Sequence, residues 1–155
     1  MGTQMAGDVG AQVENYVSNL KKMGYLVRSA VIFGSRVRGD NLKSSDIDLL
    51  LVVENPEKNF VERTQRFSAL WGYETPLEVF VYTPKEVLDM FMRGSITLYD
   101  ALHQGIVIRD SNFIAPLRYA FKRALAEKIL SKSPRGWWKL PEDQNLLKRH
   151  LDQAL

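Results

Sequence analysis

Two acidic residues with the spacing of a metal-binding pair begin an apolar segment that runs from Asp46 to Val53. Side chains alternate faces along a strand, so Asp46 and Asp48 point the same way, while Ile47 and Leu49 point into the core. Two neighbouring carboxylates repel each other and are costly to ionise together unless a cation neutralises them. Because hard oxygen ligands suit Mg²⁺ or Mn²⁺, the pair predicts a divalent-metal site.

A third carboxylate, Glu78, is the one charged residue of the apolar segment from Leu77 to Tyr82. If this segment forms a strand beside the one that begins at Asp46, Glu78 completes a cluster of three carboxylates. Such a cluster can hold two metal ions around a phosphoryl group during its transfer.

A Gly34-Ser35 pair ends the apolar segment before the acidic pair and is a candidate phosphate-binding turn. Glycine lets the backbone approach a ligand closely, and a hydroxyl with free backbone N–H groups can bind phosphate oxygens. The spacing Gly34-x4-Gly39 is that of a P-loop, but Asp40-Asn41 replace the required Lys-Ser/Thr, and no G-x-G-x-x-G occurs. These absences argue against a P-loop NTPase and a dinucleotide-binding fold.

Each of these features alone has a simpler structural interpretation. An Asp-x-Asp pair can cap or solvate the edge of a strand, Glu78 can be an exposed position on a one-sided strand, and Gly34-Ser35 can be an ordinary turn. Their combination in this order favours a metal-dependent nucleotide site.

The pattern Gly34-Ser35-x10-Asp46-x-Asp48, with Gly39 in between, resembles the signature of the DNA polymerase β-like nucleotidyltransferase superfamily. In size and motif the chain is similar to the minimal nucleotidyltransferases (MNT proteins) of that superfamily, and the order of elements matches over residues 9–109. The resemblance implies an α/β nucleotidyltransferase fold, a small mixed β-sheet flanked by helices. It also implies transfer of a nucleoside monophosphate from an NTP, with ATP the favoured donor, to an acceptor hydroxyl.

The same resemblance implies roles for individual residues. Asp46 and Asp48 would bind two Mg²⁺ ions, with Mn²⁺ as a substitute, and Glu78 would bind one metal and help to deprotonate the acceptor. Gly34 and Ser35 would hold the β- and γ-phosphates. Arg36 would either assist them or point to solvent.

The acceptor is open at this level. MNT-type proteins resemble the nucleotidylating half of HEPN/MNT toxin–antitoxin pairs, so the first expectation is a tyrosine of a helical HEPN partner, with this chain as the antitoxin. A small molecule or RNA is the alternative acceptor. A non-catalytic antitoxin that covers its partner is a competing function, whereas a sugar transferase is disfavoured because a Gly-Ser turn precedes the Asp-x-Asp pair.

The charge is unevenly distributed. Residues 116–139 hold seven bases and one acid, a local charge of +6, so the rest of the chain sums to −3. This basic segment is either a solvated helix face or a surface for an anionic partner or nucleic acid. Within it, Trp137 and Trp138 either anchor a partner, stack on bases or pack the last helix onto the domain.

Hydrophobic periodicity predicts the elements that position these residues. The Thr83-Pro84-Lys85-Glu86 run is typical of a helix start. Strands alternating with helices indicate one α/β domain over residues 1–155, with 131–155 a basic, Trp-containing C-terminal extension. The expected helices are 8–23, 60–71, 84–94, 96–103, 112–130 and 142–155; the expected strands are 25–33, 46–53, 77–82 and 106–109, and 131–141 is expected to be a loop.

The composition limits the chemistry and the cellular compartment that we expect for this chain. The 155 residues include no Cys, which excludes disulfides and thiolate chemistry and fits a reducing cytoplasm. No apolar run approaches the ~20 residues of a membrane span and no signal peptide is visible, so we expect a cytoplasmic protein without membrane contact. His103 and His150 are too isolated to indicate zinc binding, and each is expected to be a surface or helix-packing residue.

Overall fold

A computed structural model describes residues 2–34, 46–136 and 138–155, with side chains described from residue 9 onward. Six helices and six strands lie in these ranges. The strands are β1 (Val27–Phe33), β2 (Ile47–Val53), β3 (Leu77–Tyr82), β4 (Ile106–Asp110), β5 (Ser131–Lys132) and β6 (Trp138–Lys139). The helices are α1 (Gly2–Lys22), α2 (Phe60–Ala69), α3 (Pro84–Arg93), α4 (Ile96–Gln104), α5 (Ile114–Ala126) and α6 (Gln144–Ala154).

The central sheet is mixed, and its strand order is β3-β2-β1-β4. β2 is antiparallel to β1 but parallel to β3, and β4 is antiparallel to β1. The parallel pairing needs a crossover connection, which residues 54–76 provide through helix α2. This arrangement is the expected small mixed sheet of an α/β domain.

Helices cover both faces of the sheet, which explains why the central strands are apolar throughout. In β2, Ile47 and Leu49 pack into the core beneath α1 and α2, whereas Leu50 and Val52 pack into the core beneath α3 to α6. A strand buried on both faces loses the simple alternation of apolar and polar residues. The polar side chain of Asp48 therefore interrupts a run that is otherwise buried.

The helix boundaries follow local capping chemistry. The Thr83 hydroxyl accepts from the Glu86 N–H and the Glu86 carboxylate accepts from the Thr83 N–H, so the predicted capping box opens α3. Gly94 ends the helix with φ 75°, a conformation that glycine adopts without strain. The predicted long helix over 112–130 is shorter than expected, since α5 begins at Ile114 and ends at Ala126.

The segment after α5 differs from the expected loop, because β5 and β6 pair there as a short antiparallel hairpin. Strands of two residues are too short to leave a periodic pattern in the sequence. Helix α6 then packs Leu147 and Leu151 into the same core as α5. Within the described ranges, no helix combines the length and apolar character needed to cross a membrane.

Candidate active site

The candidate site lies at one end of the sheet, where β1 ends and β2 and β3 begin. Asp48 pairs with Phe33 of β1 on one side and with Glu78 of β3 on the other. Neighbouring strands lie about 4.8 Å apart, so Glu78, Asp48 and the residue preceding Gly34 form a row across the sheet. The structure thus brings together Asp48, the predicted third carboxylate Glu78 and Gly34, the first residue of the predicted phosphate-binding turn.

A backbone hydrogen bond sets this register at the start of the two parallel strands. The Ile47 N–H donates to the Pro76 carbonyl at 2.8 Å. The bond fixes the first residue of β2 against the residue that precedes β3. Asp48 and Glu78 follow as paired positions in the ladder, with side chains on the same face of the sheet.

The carboxylates differ in exposure. Asp46 and Glu78 are exposed, whereas Asp48 is half-buried. Leu50, two residues after Asp48, belongs to the core beneath α3 to α6, so Asp48 faces the same side of the sheet as those helices. The site is therefore a surface group of carboxylates at the rim of that core.

Gly34 has a role that the sequence did not predict. Its φ is 95°, and a Cβ added there would overlap Asp48 Oδ2 and lie 2.9 Å from Asp48 Cγ. Glycine is thus required both by the backbone conformation and by the close approach of the Asp48 carboxylate. The sequence predicted that Gly34 binds phosphate. The structure shows in addition that the absence of a side chain at Gly34 makes room for Asp48, a candidate metal ligand.

The carboxylates have the oxygen-donor chemistry that Mg²⁺ prefers, and Asp48 and Glu78 are adjacent. In the part of the chain that the structure describes, however, no three acidic or histidine side chains are close enough to share one metal ion. Asp46 and Glu78 are exposed, so their side chains can rotate toward Asp48 without disturbing the core. The oxygen donors are therefore of the kind that suits a divalent cation.

The rest of the predicted phosphate turn, Ser35 and Arg36, lies outside the described residues, as does the segment up to Ser45. Both remain predictions from the sequence. The described part of the turn is Gly34, which lies against Asp48.

Trp138 packs against the body of the domain. Its ring centre lies 5.6 Å from Tyr99 and 5.3 Å from Phe121, and its indole N–H donates to Asp100 at 3.1 Å. Of the alternatives for the tryptophan pair, packing therefore applies to Trp138. Trp137 lies outside the described residues.

The two histidines are packing residues, as the sequence predicted. His103 contacts the rings of Phe121 and Trp138. His150 of α6 pairs with Glu127 at the end of α5. Both join helices on the same side of the sheet.

The fold is an α/β domain with a mixed sheet, and one end of this sheet carries Asp48, Glu78 and Gly34 in a row. The family model for the nucleotidyltransferase domain matches residues 12–101, a range that includes Gly34, Asp46, Asp48 and Glu78. The chain belongs to the nucleotidyltransferase domain family.

Two solved structures are similar in fold. A toxin–antitoxin crystallised with AMP-PNP is 15% identical, with a TM-score of 0.47, over 77% of this chain and 91% of that one. A protein from Sulfolobus solfataricus assigned as a nucleotidyltransferase is 23% identical, with a TM-score of 0.45, over 68% of this chain and 80% of that one. No functionally curated protein matches the chain significantly.

Proposed function

We propose that this protein transfers a nucleoside monophosphate, with AMP favoured, from an Mg²⁺-bound NTP to an acceptor hydroxyl and releases pyrophosphate. The observation that carries the proposal is the register that sets Asp48 beside Glu78 and against Gly34. In a member of the nucleotidyltransferase domain family, this arrangement supports the prediction that Gly34 begins a phosphate-binding turn beside the carboxylates.

The reaction is an in-line displacement at the α-phosphorus. The acceptor oxygen forms a bond to that phosphorus, the bond from the phosphorus to the bridging oxygen of the β-phosphate breaks, and the electron pair leaves with pyrophosphate. Glu78 takes the acceptor proton, directly or through water. Its exposure lets it reach a hydroxyl brought from outside.

Asp46, Asp48 and Glu78 would hold two Mg²⁺ ions. Bound there, the ions would lower the pKa of the acceptor hydroxyl and neutralise charge on the phosphates. The chain's own contribution is positioning. The half-buried Asp48 is held between two strands, and the Gly34 turn with Ser35 would align the β- and γ-phosphates.

We propose as acceptor a tyrosine of a helical HEPN-type partner, for which this chain would be the antitoxin. The exposure of Asp46 and Glu78 supports an acceptor that another macromolecule presents at the surface. A small molecule or RNA is the second class of acceptor.

The test is incubation with each labelled NTP and Mg²⁺, with and without the product of the neighbouring gene, followed by mass measurement of both proteins. We expect a mass increase of one or more nucleotides on the partner. Asp48→Asn should abolish this transfer while preserving the fold. Asp152→Asn, which changes an exposed carboxylate of α6, is the matched control and should retain it.

The competing function is a binding antitoxin that covers its partner without turnover. Formation of a stable complex without modification by any of the four nucleotides would support it. The enzymatic proposal would also be rejected if Asp48→Asn transferred nucleotide at the wild-type rate.

A further inference from the structure

The row of site residues continues across the sheet to the start of β4. Ile106 of β4 pairs with Ile32 of β1, so Gly105, which precedes Ile106, lies beside the end of β1 that leads into Gly34. Two strand spacings place the Gly105 backbone about 10 Å from that of Asp48. The acidic cluster thus lies on one side of Gly34, and the junction of α4 and β4 lies on the other.

Two cations of α5 are anchored at this junction. The Arg118 guanidinium donates to the Gly105 carbonyl at 3.0 Å, and the Lys122 ammonium donates to the His103 carbonyl at 3.0 Å. Each contact uses one N–H group, whereas a guanidinium has five and an ammonium has three. Both side chains are therefore positioned, and their contacts within the described residues leave N–H groups available for a ligand.

A third cation approaches from the β5–β6 hairpin. The Lys132 ammonium lies 5.1 Å from the centre of the Trp138 ring, which is 5.4 Å from the His103 ring. Among the described residues, the carboxylate that acts on His103 is that of Asp100, which accepts the Trp138 N–H. Arg118, Lys122 and Lys132 together form a patch that we name the cationic junction.

The electrostatic effect of the cationic junction is visible at His103. Burial lowers the pKa of this histidine, and the neighbouring Lys122, Lys132 and Arg118 lower it further against the opposing effect of Asp100. Protonation of the His103 ring is therefore disfavoured, because it would add another positive charge beside these three cations. The same potential favours an anion.

We propose that the cationic junction contacts the terminal phosphate of the NTP beyond the Gly34 turn, and that together with this turn it holds pyrophosphate as the leaving group. This inference rests on the proposed function, which puts the α-phosphorus at Asp46 and Asp48 and the next phosphates at the Gly34 turn. The far end of a polyphosphate chain that crosses Gly34 points toward Gly105. Cleavage increases the charge on pyrophosphate, so fixed cations there stabilise the products of bond breaking.

The direct test is calorimetric titration of inorganic pyrophosphate without metal at low ionic strength, where the acidic cluster contributes no affinity. Lys122→Gln should weaken binding on the order of tenfold, which is typical for the loss of one charge-assisted hydrogen bond. Lys122→Arg should restore most of it. Lys128→Gln, which removes an exposed base just after the same helix, should bind as the wild type does.

Two further measurements separate this inference from the proposed function. Asp48→Asn should keep metal-free pyrophosphate binding even though it loses transfer, and AMP affinity should not change in Lys122→Gln. If no acceptor is ever modified but Lys122→Gln still weakens pyrophosphate binding, the cationic junction stands and the enzymatic proposal fails. Equal pyrophosphate affinity of Lys122→Gln and wild type overturns the inference.

Discussion

Replacing Gly34 with alanine tests the central geometric relation of the site. The added Cβ would overlap Asp48 Oδ2 and lie 2.9 Å and 3.2 Å from Asp48 Cγ and Cβ, so the carboxylate must move. A displacement on the order of 1 Å in a catalytic group costs roughly 10²-fold in rate. The φ of 95° is also strained for alanine, which costs about 1–3 kcal/mol of stability.

Gly24→Ala is the matched control for this variant. Gly24 has a φ of 100°, but a Cβ added there meets nothing within 4 Å. Both variants should lose similar stability in urea unfolding, and only Gly34→Ala should lose nucleotide transfer. The reasoning is refuted if Gly34→Ala transfers nucleotide at the wild-type rate, or if Gly24→Ala loses as much activity.

Two further predictions concern stability. Asp110 accepts backbone N–H groups at the start of α5 and the Ser29 hydroxyl; burial alone would raise its pKa, but these bonds hold it below the ordinary 3.8. Asp110→Ala should lower the free energy of unfolding by about 1–2 kcal/mol at pH 7. Because the pKa of Asp110 is lowered in the folded state, this difference between wild type and variant should shrink as the pH falls below about 4. An undiminished difference in urea unfolding at pH 3 would contradict the charge argument. Trp138→Ala should lower the free energy of unfolding by about 2–4 kcal/mol through lost packing. The control Tyr119→Ala, at a side chain 60% exposed, should change it by less than about 1 kcal/mol. Equal losses in thermal unfolding would show that Trp138 does not pack as described.

The features that the sequence predicted most closely are those with local causes. The limits of β3 agree at both ends, and α3 begins with the predicted capping box of Thr83 and Glu86. Such signals lie within a few residues of the structure they determine. The side-by-side position of Asp48 and Glu78 was predicted only on the condition that their strands are neighbours, a condition that the parallel pairing satisfies.

The features that the sequence did not predict depend on contacts between distant segments. The fit of Gly34 against Asp48 exists because β1 and β2 pair in one particular register, which no local pattern encodes. The anchoring of Arg118 and Lys122 on backbone carbonyls depends on how α5 crosses the end of α4. In the sequence these two residues are indistinguishable from other bases of the same segment.

The parallel pairing of β2 with β3 has a consequence for how the molecule reaches its native state. For β3 to pair with β2, residues 54–76, which include α2, must cross from one end of the sheet to the other. Closing this long loop costs conformational entropy before the contacts between the two strands can compensate for it. We therefore expect Asp48 and Glu78 to become neighbours late in folding. A partly folded chain, in which β1 and β2 alone have paired, lacks the pairing of Asp48 with Glu78, so the proposed metal site would be complete only once the sheet is complete.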